Sequence, residues 1–155
     1  MASKDIVIGC DNAAVDFKNA VVAFLRDKGY AVEDVGVGDA KDGTAYAHVA
    51  ERVSRAVLDA PGRRGILFCG TGIGMAIAAN KVSGIRAACI HDAFSAERAA
   101  LSNNANVVTM GARVIGIELA KKLLMEFLPL EYKDGPSTPK IEAISEVERK
   151  YSQGN

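Results

Sequence analysis

Short apolar runs alternate with longer amphipathic stretches along this 155-residue chain. That alternation predicts an α/β protein, a three-layer α/β/α Rossmann-like sandwich around a five-stranded parallel sheet. Three observations carry the prediction: five apolar runs have strand length, each is followed by helical periodicity, and strands separated by helices pair in parallel through right-handed crossovers. The length is close to the ~150 residues of one domain. A single domain is therefore expected over 1–155, with an α/β core at 1–130 and a C-terminal loop and helix at 131–155.

The first strand covers residues 5–9. A helix follows over 14–28, where Val15, Ala20, Val22 and Leu25 supply an apolar face and Gly29 ends it. Residues 31–35 form a weaker strand, and helical periodicity over 46–59 stops before Pro61-Gly62. Arg-Gly-Ile-Leu-Phe-Cys at 64–69 is a strand of the buried type, followed by a glycine loop and a helix over 73–82. Strand 86–90, helix 93–101, strand 107–110 and helix 115–128 continue the alternation. Residues 134–139 are a Gly- and Pro-containing loop. A last, strongly charged helix over 140–150 can lie over its own domain or reach a partner subunit.

Nineteen Lys and Arg balance nineteen Asp and Glu, which argues against a nucleic-acid partner, since that normally requires a basic excess. No apolar run approaches the ~20 residues of a membrane span, and no basic-plus-apolar leader precedes Ile6. The expectation is a cytoplasmic protein with no membrane partner. Cys10, Cys69 and Cys89 are odd in number and lack metal-type spacing, so neither a disulfide framework nor a metal site is expected. Cys10 at a strand end and Cys89 within a strand read as packing residues.

In an open parallel sheet, ligands bind beyond the carboxyl ends of the strands where strand order reverses. For the common order 2-1-3-4-5 that point lies between strands one and three. Cys10-Asp11-Asn12 and the loop from Cys69 to Gly74 meet there, with His91-Asp92 and Gly111-Ala112-Arg113 arriving on strands four and five. Gly70, Gly72 and Gly74 let backbone N–H groups converge on a phosphate or a developing oxyanion; the same loop can also be no more than a tight strand-helix turn. Cys69, at a strand end before a helix N-terminus, sits where a thiolate is favoured. It is not a Cys-x5-Arg phosphatase nucleophile, because Met75 occupies the arginine position. Asp11 can bind a substrate hydroxyl or cap the next helix, and Arg113 can clamp an anion or stay solvated. Asp92 suits an N-cap, with His91 beside it exposed.

Gly9-Cys-Asp11, the thirteen residues from Cys69 to Lys81, Gly84-Ile-Arg-Ala87 and the run from Gly111 to Gly116 closely resemble the ribose-5-phosphate isomerase type B family. That family also includes galactose-6-phosphate and allose-6-phosphate isomerases. The likeness runs from Ile6 to about Glu148. It implies an aldose–ketose isomerase working through an enediolate with no metal or organic cofactor. Cys69 would move a proton between C1 and C2, and Thr71 and Asp11 would contact substrate oxygens. The amides of Gly70, Thr71, Gly72, Ile73 and Gly74 would form the anion hole. Asn103 matches a residue near the reacting carbons and Arg113 a phosphate ligand. The resemblance further implies a homodimer or homotetramer with sites shared between subunits.

Some family positions differ. Asn12 replaces the usual His after Gly-Cys-Asp, and Ala45-Tyr46-Ala47 replaces Asp-Tyr-Pro. Ser102 replaces the histidine that opens the sugar ring, while Pro136 and Lys140 replace the two tail arginines. Asn12, Ser102 and Lys140 are accordingly expected among the substrate-binding positions. The main expectation is a ribose 5-phosphate/ribulose 5-phosphate type of reaction by cysteine-based proton transfer. The alternative is a tetrose phosphate, erythrose 4-phosphate/erythrulose 4-phosphate, which needs no ring opening. Two further readings are a dinucleotide-binding oxidoreductase, with Asp92 as the ribose-binding acid, and a catalytically inactive sensor or partner subunit.

Overall fold

The computed structural model describes residues 2–152. Its strands are β1 (Asp5–Cys10), β2 (Ala31–Asp34), β3 (Arg64–Cys69), β4 (Ala87–Cys89) and β5 (Val107–Gly111). They alternate with α1 (Val15–Asp27), α2 (Tyr46–Leu58), α3 (Ile73–Ala79), α4 (Ala93–Leu101) and α5 (Ile117–Phe127), and α6 (Thr138–Ser152) closes the series. All strand pairs are parallel, in the order β2-β1-β3-β5-β4.

The last two strands are therefore exchanged relative to the common order 2-1-3-4-5. Composition explains the exchange. Val107–Gly111 is buried throughout and takes the interior place, whereas the three residues of β4 are half-exposed or exposed and suit an edge. The reversal of strand order still falls between β1 and β3. Ile6, Val7, Ile8, Ile66, Leu67, Phe68, Val107, Val108 and Met110 are fully buried in the centre of the sheet, each large side chain contributing roughly 1.5–3 kcal/mol.

Three local differences from the sequence expectation have clear causes. On α1 the inward face includes Lys18, 2% exposed, while Ala20 faces solvent. Lys18 tolerates burial because its Nζ donates to Asp34 Oδ2 and to Val37 O. Helix α3 ends at Ala79 because Asn80 turns to β4, where its side chain accepts from Ala87 N at 2.8 Å and donates to Ala87 O at 2.9 Å. Cys89, expected as a buried filler, is exposed on the edge strand.

Arg64 anchors the start of the tail. Its Nη1 donates to Phe127 O and Leu128 O at 3.0 and 3.2 Å, its Nη2 donates to Leu130 O, and its guanidinium lies over the Phe127 ring. Gly135 N–H donates to Thr138 Oγ1, so α6 begins at Thr138, before the expected Lys140. No residue of α6 is buried. The helix lies beside β4 of its own chain, joined by Gly84 N–H donating to Glu148 Oε1 at 3.0 Å. Between them runs a cleft of about 450 Å³ lined by Ile85, Ala87, Ala88, Ile144 and Val147.

Candidate active site

The C-terminal ends of β1, β3 and β5 meet at one end of the sheet, as the sequence predicts. The loop after β3 is moulded onto β5. Ala112 N–H donates to Cys69 O at 2.9 Å and Arg113 N–H to Gly70 O at 3.0 Å, while Thr109 Oγ1 donates to Gly72 O at 2.7 Å. Two glycines are required for this fit. Gly72 has φ +78°, and a Cβ there would lie 2.7 Å from the Met110 carbonyl carbon. A Cβ on Gly111 would lie 2.6 Å from both Cα and C of Thr71. The two backbones are in direct contact, so side chains on the loop are placed by main-chain geometry.

Cys69 is 5% exposed, and Gly72 N–H donates to its Sγ at 3.1 Å. The sulfur is thus held by a main-chain donor of its own loop. Thr71 is exposed, with Oγ1 accepting from Ile73 N–H at 3.3 Å. Two of the five amides expected to converge on an anion, those of Gly72 and Ile73, are thus turned toward side chains of their own loop. Asp11 makes a short turn in which its Oδ1 accepts from Ala13 N–H at 3.0 Å, and it provides no side-chain cap to α1. Asn12 is exposed beside it. The Arg113 guanidinium lies against Gly70, 3.4 Å from where a Cβ would sit. Cys69, Thr71, Asp11, Asn12, the glycine loop and Arg113 therefore share one end of the sheet.

The Tyr46 ring lies against Gly74, and a Cβ on that glycine would fall 2.6 Å from Tyr46 Cε2. Sequence reasoning did not place Tyr46 in the site. Its position at the start of α2, at the same end of the sheet, is the signal that could have found it. Asp92 caps α4 as expected, its Oδ1 accepting from Ser95 N–H at 2.7 Å, a bond that holds its carboxyl below the usual range. His91, expected to be exposed, is half-buried, and its Nε2 accepts from Gly111 N–H at 2.9 Å. Cys10 is buried, and burial pushes its thiol up to about 12.

Ser102 and Asn103 are not brought to this end within one chain. Helix α4 connects parallel strands and must run against them, so its C-terminus emerges where the strands begin. Gly65 N–H, at the start of β3, donates to Asn106 O at 2.8 Å, which places the 102–106 segment there. Cys69 is four residues further along β3, about 13 Å at ~3.3 Å per residue. The tail that carries Lys140 leaves from the same end, held by Arg64. Ser102 Oγ accepts from Arg98 Nη1 at 3.2 Å.

Among the described residues, no cluster of His, Cys, Asp or Glu could hold a metal ion and no helix is long and apolar enough to cross a membrane.

The Ribose/Galactose Isomerase family signature matches residues 6–144. A D-erythrulose-4-phosphate isomerase of Pectobacterium atrosepticum is 49% identical over 143 residues, covering 92% of this chain and 94% of that protein. A "Ribose-5-P isomerase B" of Listeria innocua is 44% identical over 145 residues, covering 94% of this chain and 97% of that one. Among solved structures, ribose-5-phosphate isomerase B of Clostridium thermocellum superposes with a TM-score of 0.91 at 36% identity, over 95% of this chain and 99% of that chain. The dinucleotide alternative has nothing left to stand on. Its glycine loop follows β3 instead of β1, and the carboxylate it needs, Asp92, is committed to the α4 cap. With the sheet order, the loop geometry and these relatives in agreement, the chain belongs to the ribose/galactose isomerase family and is an aldose–ketose isomerase of a phosphorylated sugar.

Proposed function

We propose that this isomerase interconverts erythrulose 4-phosphate and erythrose 4-phosphate, in preference to the ribose 5-phosphate pair. The carrying observation is Ser102, a hydroxyl bonded to Arg98, at the position where the resemblance assigns a ring-opening histidine. A serine hydroxyl is a poor proton carrier near neutral pH, whereas imidazole has a pKa near ~6.5. A tetrose 4-phosphate has its O4 esterified and cannot close an unstrained five-membered ring, so it needs no such group. His91 offers no ready replacement, since Gly111 N–H occupies its unprotonated nitrogen. The erythrulose phosphate isomerase among the relatives supports the same choice.

Cys69 is the proposed base. Its thiolate takes a proton from C1 of the ketose; that electron pair forms C1=C2, and O2 takes up the negative charge. Donors of the 70–74 loop hold the enediolate, and a proton passes from O1 to O2 with the Thr71 hydroxyl as relay. Return of the proton from Sγ to C2 leaves the carbonyl at C1. Asp11 offers Oδ2 to a substrate hydroxyl, and Asn12 and Arg113 flank the phosphate. No step calls for a metal or organic cofactor.

The site is proposed to be completed by Ser102, Asn103 and Lys140 from a second copy of the chain, because a single chain leaves Ser102 and Asn103 at the far end of the sheet and its tail departs from that end. Exposed Ile73 and Ile77, one turn apart on α3, and the unburied α6 are surfaces that such a copy would cover. The direct test is to incubate the protein with D-erythrulose 4-phosphate in D2O and follow it by NMR. Formation of erythrose 4-phosphate with deuterium entering at carbon is expected; unchanged substrate would remove the tetrose assignment and leave the ribose 5-phosphate reaction.

A further inference from the structure

We propose that His91 is a positioning residue for this reaction, holding the β5 backbone against which the Cys69 loop is formed. The β4–β5 ladder ends with Ile90 N–H donating to Thr109 O at 3.0 Å. Beyond it the main chain of β4 turns away to the Asp92 cap. Gly111 N–H, the next donor on β5, would then lack a ladder carbonyl, and the imidazole takes that place with Nε2 accepting at 2.9 Å. A backbone N–H is always the donor, so Nε2 is the unprotonated nitrogen and the ring proton sits on Nδ1. His91 is thus a side-chain extension of the sheet by one rung.

What that rung secures is the loop. Gly111 is the register partner of Cys69 in the β3–β5 ladder, and its Cα is pressed against Thr71 with no room for a methyl group. The hydrogen bonds onto Cys69 O and Gly70 O come from Ala112 and Arg113, the two residues after Gly111. A shift of Gly111 toward β4 or away from it would therefore carry Thr71, the Gly72 N–H on Cys69 and the Arg113 guanidinium together. Displacements near 1 Å at a reacting centre can cost ~10²-fold in rate. His91 acts through this contact and not by meeting substrate, which separates its role from that of Cys69.

The inference rests on Cys69 being the base, and its test is built to tell the two failures apart. His91→Leu removes the acceptor, while His91→Gln places an amide oxygen where Nε2 was. Both are assayed on whichever sugar phosphate the unaltered protein converts, so a wrong choice of sugar does not affect the comparison. His91→Leu should lower kcat by roughly 10–100-fold with little change in KM, and His91→Gln should recover most of it. Hydrogen exchange at the Gly111 amide should be fast in His91→Leu and slow in the other two proteins, a readout independent of turnover. Should the leucine variant fail to fold, His91→Asn, too short to reach Gly111, takes its place. Equal losses in His91→Gln and His91→Leu would mean the imidazole itself carries a proton. Full activity in His91→Leu would mean the rung is dispensable. Either result overturns the proposal.

Discussion

The backbone N–H of Gly72 donates to Cys69 Sγ at 3.1 Å, closing a four-residue turn that leaves the sulfur nearly buried behind the glycine loop. The thiol is thereby fixed relative to the amides that follow it. Cys69→Ala keeps the space filled by a small apolar group and removes only the proton carrier. Turnover should fall by about 10²–10⁴-fold, the range typical of a general base. A circular dichroism spectrum and melting curve close to those of the unaltered protein would show that chemistry, not folding, was lost.

The three thiols should react in a fixed order. Cys89 is exposed at the sheet edge, Cys69 is nearly buried, and Cys10 is fully buried with its thiol pushed up to about 12 by burial. The sign is simple: near pH 8 Cys10 lies far below its titration point and stays a protonated, unreactive thiol. Mass spectrometry of the native protein with a limiting alkylating reagent should show Cys89 modified first, Cys69 later and Cys10 last. Early labelling of Cys10 would contradict the packing of β1.

Gly111 offers a test of the main-chain fit. Gly111→Ala places a methyl 2.6 Å from the Thr71 backbone, which cannot move aside as a flexible side-chain tip would. Overpacking of this kind costs about 1–3 kcal/mol. The loop is the element that must yield, so activity should fall by more than ten-fold while urea denaturation shows a loss within that range.

Much of this architecture was legible from periodicity. Runs such as Ile6-Val7-Ile8 and Ile66-Leu67-Phe68 can only be buried strands, and the Cys69–Gly74 loop marked its end of the sheet. The order of β4 and β5 was not legible, because nothing local in Ala87–Cys89 states which neighbour it will have; edge and interior are decided by tertiary packing. For the same reason Cys89 read as core. The contacts of His91 and Tyr46 escaped because their partners, Gly111 and Gly74, lie 20 and 28 residues away in sequence. Ser102, Asn103 and Lys140 could be named as candidates, yet only the direction of α4 reveals that Ser102 and Asn103 sit at the opposite end of the sheet from Cys69.

That separation predicts complementation. Cys69→Ala and Asn103→Ala variants should each be nearly inactive, since each spoils every site. If sites are shared between two copies, a mixture allowed to exchange subunits should recover roughly a quarter of normal activity, because half of the dimers then hold one intact site of two. Activity no greater than the sum of the separate variants would show that each chain builds its site alone.

The choice of substrate is the central question, and a ratio measured in one preparation answers it. On the proposed reading Ser102 supplies no imidazole to open a sugar ring, while Cys69 and the 70–74 loop serve proton transfer between neighbouring carbons. Comparing kcat/KM for erythrose 4-phosphate and ribose 5-phosphate under identical conditions isolates that difference. The tetrose should be preferred by at least ~10²-fold, the usual worth of one general acid–base group. A clear preference for ribose 5-phosphate would contradict the assignment.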